Sequence, residues 1–356
     1  MKQKKNIGAK LLPNLPPGSI LSEIRKFMEV ENVPLFRFVQ LVTSLQRGTE
    51  KFQDVKELPE NVRQLLVSRF GETPLPLNPV LVQSAEQVEK VLFETQTKAY
   101  VETVHSRYRA GWSSVCISSQ AGCNLGCAFC ATGATGFTCN LSADEICAQV
   151  VHSLWQKLPD SISFMGMGEA LANPHFFEAL NVLTSDGYGS FSPRRVTVST
   201  VGFAPNLHRL TTEYPQVNVT LSVHSPFAEQ RMELIPLEHR FSLKENLSIL
   251  NQHTIKTHRK VYLAYLLISG VNDSIIHLKA LEKLVKSQKR PELFHVNVIA
   301  YNNAVGAKSD YKAPTEKNII EFVSELRVRG ISATRRQQFG ASIDAACGQL
   351  YAKNFL

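Results

Sequence analysis

The chain has 356 residues, 44% of them hydrophobic and 20% charged, with 39 basic against 31 acidic side chains for a net charge of +8. That balance is ordinary for a folded protein and excludes collagen, coiled coil and disorder, while a moderate basic excess suits a polyanionic partner as well as plain solubility. No run nears the roughly 20 apolar residues of a membrane span. The start, with Lys2, Lys4, Lys5 and Lys10, runs into Pro13, Pro16 and Pro17 rather than a hydrophobic signal core, so a cytoplasmic address with no membrane is expected.

Residues 1–100 read as a small helical accessory domain and an RNA-binding candidate, with helices over Leu21–Glu31, Leu35–Gln46 and Pro59–Phe70. Gly71 and then Pro74, Pro76 and Pro79 stop the last of these, and Val88–Phe93 has the composition of a first strand. From about residue 112 apolar β-rich runs recur at Ser114–Ser118, Ser161–Met167, Arg195–Thr200, Val217–Val223, Lys260–Ile268 and Phe294–Tyr301. Amphipathic helical stretches alternate with them at Ala143–Trp155, His175–Thr184, Leu243–Gln252, Ser274–Ser287 and Glu316–Arg329. Repeated strand–helix units predict an α/β fold with a parallel sheet, and six of them suit an open partial barrel as well as a doubly wound sheet. No strand leads into GxGxxG with an acidic residue at the right distance, so a dinucleotide site has no support. Residues 101–340 would form this core and 341–356 a C-terminal segment.

Cys123, Gly168-Glu169, Ser199, His224, Asn302 and Cys347 all fall at or just after predicted strand ends. Ligands bind at the carboxyl ends of strands in such folds, so these residues are expected to share one cleft. Seven cysteines in a large chain without a signal argue against a disulfide framework. Six lie between Cys116 and Cys147, and Cys347 stands alone. Cys123-Asn-Leu-Gly-Cys127-Ala-Phe-Cys130 has the spacing CxxxCxxC on one short loop, which can ligate three irons of a [4Fe–4S] cluster and leave the fourth open. A zinc knuckle with Cys139 or Cys116 as fourth ligand is the alternative. Gly166-Met-Gly168-Glu169 ends a predicted strand, where glycine lets backbone approach a ligand and Glu169 can accept hydrogen bonds from an amine.

These motifs carry a specific resemblance. Cys116-Ile-Ser-Ser-Gln-Ala-Gly-Cys123, Ser163-Phe-Met-Gly-Met-Gly-Glu-Ala-Leu-Ala-Asn173 and Asp344-Ala-Ala-Cys347-Gly-Gln-Leu350 resemble the RlmN/Cfr family of radical S-adenosylmethionine (SAM) rRNA adenine methyltransferases. Ala170, where the RlmN branch has proline, and the stretches Glu102-Thr-Val and Ala110-Gly-Trp112 resemble the Cfr branch.

The resemblance implies a partial (β/α)6 radical-SAM barrel holding a [4Fe–4S] cluster on Cys123, Cys127 and Cys130, and two S-adenosylmethionine molecules per turnover. Carbons 8 and 2 of adenine are poor nucleophiles, and a cofactor-generated radical bypasses that. Cys347 would be methylated first, a 5′-deoxyadenosyl radical would take hydrogen from its S-methyl group, and the methylene radical would add to the adenine. Glu102 would accept the proton, and Cys116 would release the methylated RNA by forming a transient disulfide with Cys347. Gly168, Glu169, Ser199, Ser222, Val223 (through its backbone), His224 and Asn302 match positions that contact S-adenosylmethionine; Cys139 and Cys147 match none and read as structural.

The expected substrate is 23S rRNA, naked or partly assembled, because the base must be unstacked for chemistry. An electron donor such as flavodoxin would serve the cluster. Phosphate contacts are candidates at Arg194-Arg195, His253 to Lys260 and Arg335-Arg336. The expected product is 8-methyladenosine in the peptidyl-transferase centre, with antibiotic resistance as its consequence; the choice of adenine edge is expected to lie with side chains near Ala170 and Asn173. Adenine-C2 methylation is the alternative reaction, and a non-catalytic zinc or iron–sulfur RNA-binding protein the alternative class.

Overall fold

The computed structural model describes residues 19–47, 49–151, 159–184, 191–302, 306 and 310–336. The first helices are α1 (Ile20–Val30), α2 (Leu35–Gln46) and α3 (Glu60–Phe70). Leu21, Ile24 and Met28 recur at helical spacing on α1 and are buried, while Ser19 caps it by accepting the Ser22 N–H. They pack with Phe38, Leu41 and Leu45 of α2 and with Phe52, Val62 and Leu66 in a core shared with the rest of the chain.

The strands are β1 (Leu77–Ala85), β2 (Val88–Thr95), β3 (Tyr100–Arg107), β4 (Ser113–Ile117), β5 (Gln120–Gly122), β6 (Phe137–Asn140), β7 (Ser161–Phe164), β8 (Val196–Thr200), β9 (Asn218–Ser222), β10 (Val261–Leu267), β11 (Phe294–Ala300) and β12 (Ala333–Arg335). Among the described residues ten of them form one sheet in the order β1-β2-β3-β4-β7-β8-β9-β10-β11-β12, and β5 pairs with β6. In the ten-stranded sheet β1 to β4 are an antiparallel meander, and β4, β7, β8, β9, β10, β11 and β12 pair in parallel. The remaining helices are α4 (Ala131–Ala134), α5 (Ala143–Val151), α6 (Phe176–Thr184), α7 (Ala204–Glu213), α8 (Ala228–Leu234), α9 (Leu243–Thr257), α10 (Ile275–Lys286) and α11 (Glu316–Val328).

Strand alternation divides the sheet into two chemically distinct faces. Val115, Ile117, Ile162, Val196, Val198, Val219, Leu221, Leu263, Val296 and Val298 are buried in one core with Leu180, Leu207, Leu250, Leu281 and Phe322 of the helices. The other face follows the register Val104↔Cys116↔Ser163↔Thr197, then Ser199↔Thr220 and Ser222↔Ala264, then Leu266↔Ile299. Its residues are mostly small and polar, so this face does not fill itself and leaves a hollow. Side chains from β2 at one end and β12 at the other line that same hollow, so the sheet curls around it as an open barrel.

All six core strands expected from the sequence are present as β4, β7, β8, β9, β10 and β11. β1, β3, β5, β6, β12, α4, α7 and α8 were not expected. β1 and β3 flank β2, so residue 100 falls inside a hydrogen-bonded pair (Glu94↔Tyr100) and the sheet shows no break at the expected domain boundary. β1 hid because it is largely exposed and irregular at Pro79. α7 hid behind Pro205 in its first turn, and α8 is only seven residues long. Among the described residues no helix is long and apolar enough to cross a membrane.

Candidate active site

The hollow is a cavity of about 960 Å³, lined among others by Glu102, Cys116, Cys130, Ser163, Gly168, Glu169, Ser199, Ser222, His224 and Asn302. Residues spread over two hundred positions thus meet because they occupy one face and one end of a curved sheet. Cys123 and Cys127 sit on the loop that delivers Cys130 but do not line the cavity. Val223, expected to contribute through its backbone, is not among the residues that line the cavity. Its side chain is fully buried, its N–H donates to the Ala264 carbonyl (2.9 Å) and its carbonyl accepts from Arg231 Nε (3.2 Å). Cys347 lies outside the described residues.

The cysteine loop is fixed at several points. Gly122, at φ 75°, brings β5 so close to Gly136 that a Cβ there would stand 1.9 Å from the Gly136 oxygen, and the next residue, Cys123, donates its N–H to that oxygen (2.7 Å). Ala128 N–H donates to the Leu234 carbonyl (3.1 Å), and Leu125, Cys127 and Phe129 pack on a small core of Leu234, Ile235 and Ile268. Burial pushes the Cys123 thiol up to about 11, with Cys130 and Glu169 as like-charged neighbours, and burial pushes Cys127 up further still. Crowded buried thiols of this kind ionise when a cationic centre takes them as ligands. Among the described residues no three His, Cys, Asp or Glu side chains close around a single-ion position. The thiolates of a [4Fe–4S] cluster each hold a different iron and need no such convergence, so the donor set fits a cluster.

The Gly-Met-Gly-Glu segment is latched onto the end of β4. Gly166 N–H donates to the Ile117 carbonyl (3.0 Å), Met167 N–H to Ser118 Oγ (2.9 Å) and Glu169 N–H to Gln120 Oε1 (2.8 Å). Gly168 has φ 89°, and a Cβ there would meet the Gln120 side chain at 2.5 Å. Glu169 is buried, which pushes its carboxyl pKa up, while N–H groups of Val201 (2.9 Å) and Leu171 (3.2 Å) favour the anion. A ligand ammonium group at this cavity wall would supply the missing positive charge. Ala170 and Asn173, near which the side chains that choose the adenine edge were expected, are themselves buried. The Asn173 amide donates to the carbonyls of Ser119 (2.6 Å) and Leu141 (2.9 Å), and neither residue lines the cavity.

His224 follows β9 with a left-handed backbone (φ 57°), a conformation that costs a non-glycine residue about 1 kcal/mol or more. The Asn272 amide holds it there by donating to the His224 carbonyl (2.7 Å). Burial, and then the nearby Arg231 cation, push the ring pKa down to about 3. The ring is therefore neutral, and since Leu266 N–H donates to Nδ1 (3.0 Å), its proton sits on Nε2.

On the other wall, Glu102 is buried in an ion pair with Lys90, Nζ to Oε2 2.8 Å. Burial pushes the Cys116 thiol up, opposed by a hydrogen bond with Ser163 and by the cations of Arg336 and Lys90. Sequence reasoning missed three features. Lys90 was legible as a lone cation inside the apolar run Val88–Phe93. Arg231 pairs with Glu238 and donates to the carbonyls of Val201, Ser222 and Val223, yet reads locally as a surface residue. The cavity role of Tyr108 was given no signal, and Trp112 served only as part of a motif.

Residues 117–281 match the family model of the Radical SAM superfamily. A ribosomal RNA large subunit methyltransferase Cfr from Bacillus velezensis is 46% identical over 331 residues, 92% of this chain and 95% of that one. The protein of the same description from Staphylococcus aureus is 46% identical over 333 residues, with 92% and 95% coverage, and that from Shouchella clausii 44% identical over 337 residues, with 93% and 95%. Among solved structures, a radical SAM methyltransferase from Sphaerobacter thermophilus matches with a TM-score of 0.83 at 34% identity, over 92% of this chain and 96% of that one.

Proposed function

This chain belongs to the RlmN/Cfr family of radical SAM rRNA methyltransferases, and from that premise we propose that it methylates carbon 8 of an adenine in the peptidyl-transferase centre of 23S rRNA and so confers antibiotic resistance. The observation that carries this reading is one cavity presenting Glu102 and Cys116 together with Glu169, Ser199, Ser222, His224, Asn302 and the cluster-loop residue Cys130. Cys123, Cys127 and Cys130 would hold three irons. When bound, the [4Fe–4S] cluster and S-adenosylmethionine supply the methyl group and, on one-electron reduction, a 5′-deoxyadenosyl radical. Glu169 takes the ammonium of the methionine moiety, and Gly168, Ser199, Ser222, His224 and Asn302 supply the surrounding surface and polar contacts.

Cys347 accepts the methyl group as a thioether and becomes joined to the adenine through that carbon. Glu102, ion-paired with Lys90, takes the proton from the substituted ring carbon, and the unpaired electron of the adduct would pass back to the oxidised cluster when that is bound. Cys116 then attacks the Cys347 sulfur; the sulfur–carbon electron pair leaves with the methylene-bearing base, which is protonated, and a Cys116–Cys347 disulfide remains. Cys116 is a free thiol in the structure. A base must be unstacked to enter such a cavity, which favours naked or partly assembled rRNA, and an electron donor such as flavodoxin completes the system in the cytoplasm.

Trapping tests this division of labour. Cys116→Ala should accumulate a covalent protein–RNA adduct on denaturing gels, and Cys116→Ala with Cys347→Ala should give none. An adduct that survives loss of Cys347, or its absence from the single variant when the unmodified enzyme is active, contradicts the assignment.

A further inference from the structure

The turn between β3 and β4 reads Arg107-Tyr-Arg-Ala-Gly-Trp112, and its geometry is tightly set. Tyr108 N–H donates to the Trp112 carbonyl (2.9 Å), Gly111 N–H donates to the Tyr108 carbonyl (2.8 Å), and Gly111 takes φ 88°. The Tyr108 and Trp112 rings stack with centroids 3.6 Å apart and planes 11° from parallel, and the Tyr108 hydroxyl lies 3.3 Å from Ser114 Oγ. Tyr108 covers one face of the indole, yet Trp112 remains 44% exposed. Both rings line the cavity, and Ser114 and Cys116 continue along the same face of β4. Arg107 and Arg109 are exposed on the same turn.

We propose that Tyr108 and Trp112 form a stacking platform at the cavity mouth that holds an unpaired base beside the target adenine, with Arg109 meeting the adjoining phosphate. This rests on the reading that the substrate is RNA. A rigid aromatic stack flanked by cations is what a splayed single strand requires. Each base has a π-face that stacks on an aromatic ring, and arginines meet the backbone. Because the turn and its partner ring are already fixed, the platform costs little ordering when the RNA arrives. An apolar protein surface would explain the exposed indole but not the arginines on either side of Tyr108, nor the continuity with the reaction cavity.

The test uses the full-length, cluster-reconstituted chain and a 23S rRNA fragment containing the target adenine. With Trp155→Phe, Trp112 is the one tryptophan of the two left, and its emission should be quenched as the fragment binds. Trp112→Ala should raise Kd and KM for the fragment about tenfold, while Trp112→Phe stays near the unmodified protein. Far-UV circular dichroism and iron content per chain should match the unmodified protein in Trp112→Ala, which establishes that the variant is folded and loaded. The slope of log Kd against log salt should be unchanged in Trp112→Ala and reduced by about one in Arg109→Ala, because stacking releases no counterions and a phosphate contact does. Unchanged Kd and KM in Trp112→Ala, or unquenched emission, overturns the platform. Retained RNA affinity with slowed cluster reduction also overturns it and assigns the surface to the electron donor. Failure of the unmodified protein to bind or methylate the fragment would overturn the RNA reading itself, and the platform with it.

Discussion

Asp144 shows how a buried charge can serve structure at a cost in stability. Its carboxylate accepts the Ile20 N–H at 2.6 Å, satisfying an otherwise unpaired donor at the start of α1 and tying that helix to α5. Burial pushes its pKa from 3.8 up to about 6, opposed by the Ile20 hydrogen bond. Between those values the folded chain keeps a proton that the unfolded chain has lost, so stability falls as pH rises, by about 3 kcal/mol in all for a shift of this size. Asp144→Asn keeps an oxygen for Ile20 and removes the titration. The variant's Tm minus that of the unmodified protein should therefore climb between pH 4 and pH 7; a flat or falling difference contradicts the assignment. Asp144 belongs with Arg231 and Glu238 in a class that sequence alone hides, because each reads as a surface charge until its partner is known. Cys123, Cys127, Cys130 and Glu169 were legible because their motifs are local: the thiols and the glycines that shape them lie within a few positions.

At the scale of elements, the site depends on how the ends of β8 and β9 are held. Arg231 on α8 donates to Val201 (2.6 Å), Ser222 (2.9 Å) and Val223 (3.2 Å), joining two strand ends that carry Ser199, Ser222 and His224. Glu238 balances its charge and also accepts the Leu243 N–H at the start of α9. Arg231→Met leaves Glu238 buried without this cation, which costs about 3–5 kcal/mol and should lower Tm by about 5 °C in a chain of this length. Adding Glu238→Gln should recover part of the loss, as expected for two groups acting as one unit. An unchanged Tm in the single variant would show that the strand ends are held by other means. Helices such as α2 and α11 were readable from apolar spacing and clear stop signals. β1 was not, since a largely exposed strand carries little periodic signal; β3 was not, since its buried positions include Glu102, Thr103 and His105; and α8 is too short to show one.

Across the whole molecule, the governing fact is that one sheet face is apolar and the other is small and polar. The apolar face binds the helices into a core; the small-residue face leaves about 960 Å³ open. The antiparallel meander adds β2 and β3 to the parallel barrel and brings Glu102 and the Tyr108–Trp112 turn to the cavity that Glu169, Ser199, Ser222 and His224 also line. The proposed reaction is a radical methylation that this cavity directs to carbon 8 of adenine. Its most direct test is nucleoside mass spectrometry of 23S rRNA treated with the reconstituted enzyme, S-adenosylmethionine and a reductant, against 8-methyl- and 2-methyladenosine standards. The predicted result is 8-methyladenosine, lost when Cys347, Glu102 or any of the three cluster cysteines is replaced. Predominant 2-methyladenosine would contradict the carbon-8 assignment and the resistance that follows from it, and no methyladenosine at all would contradict the enzyme.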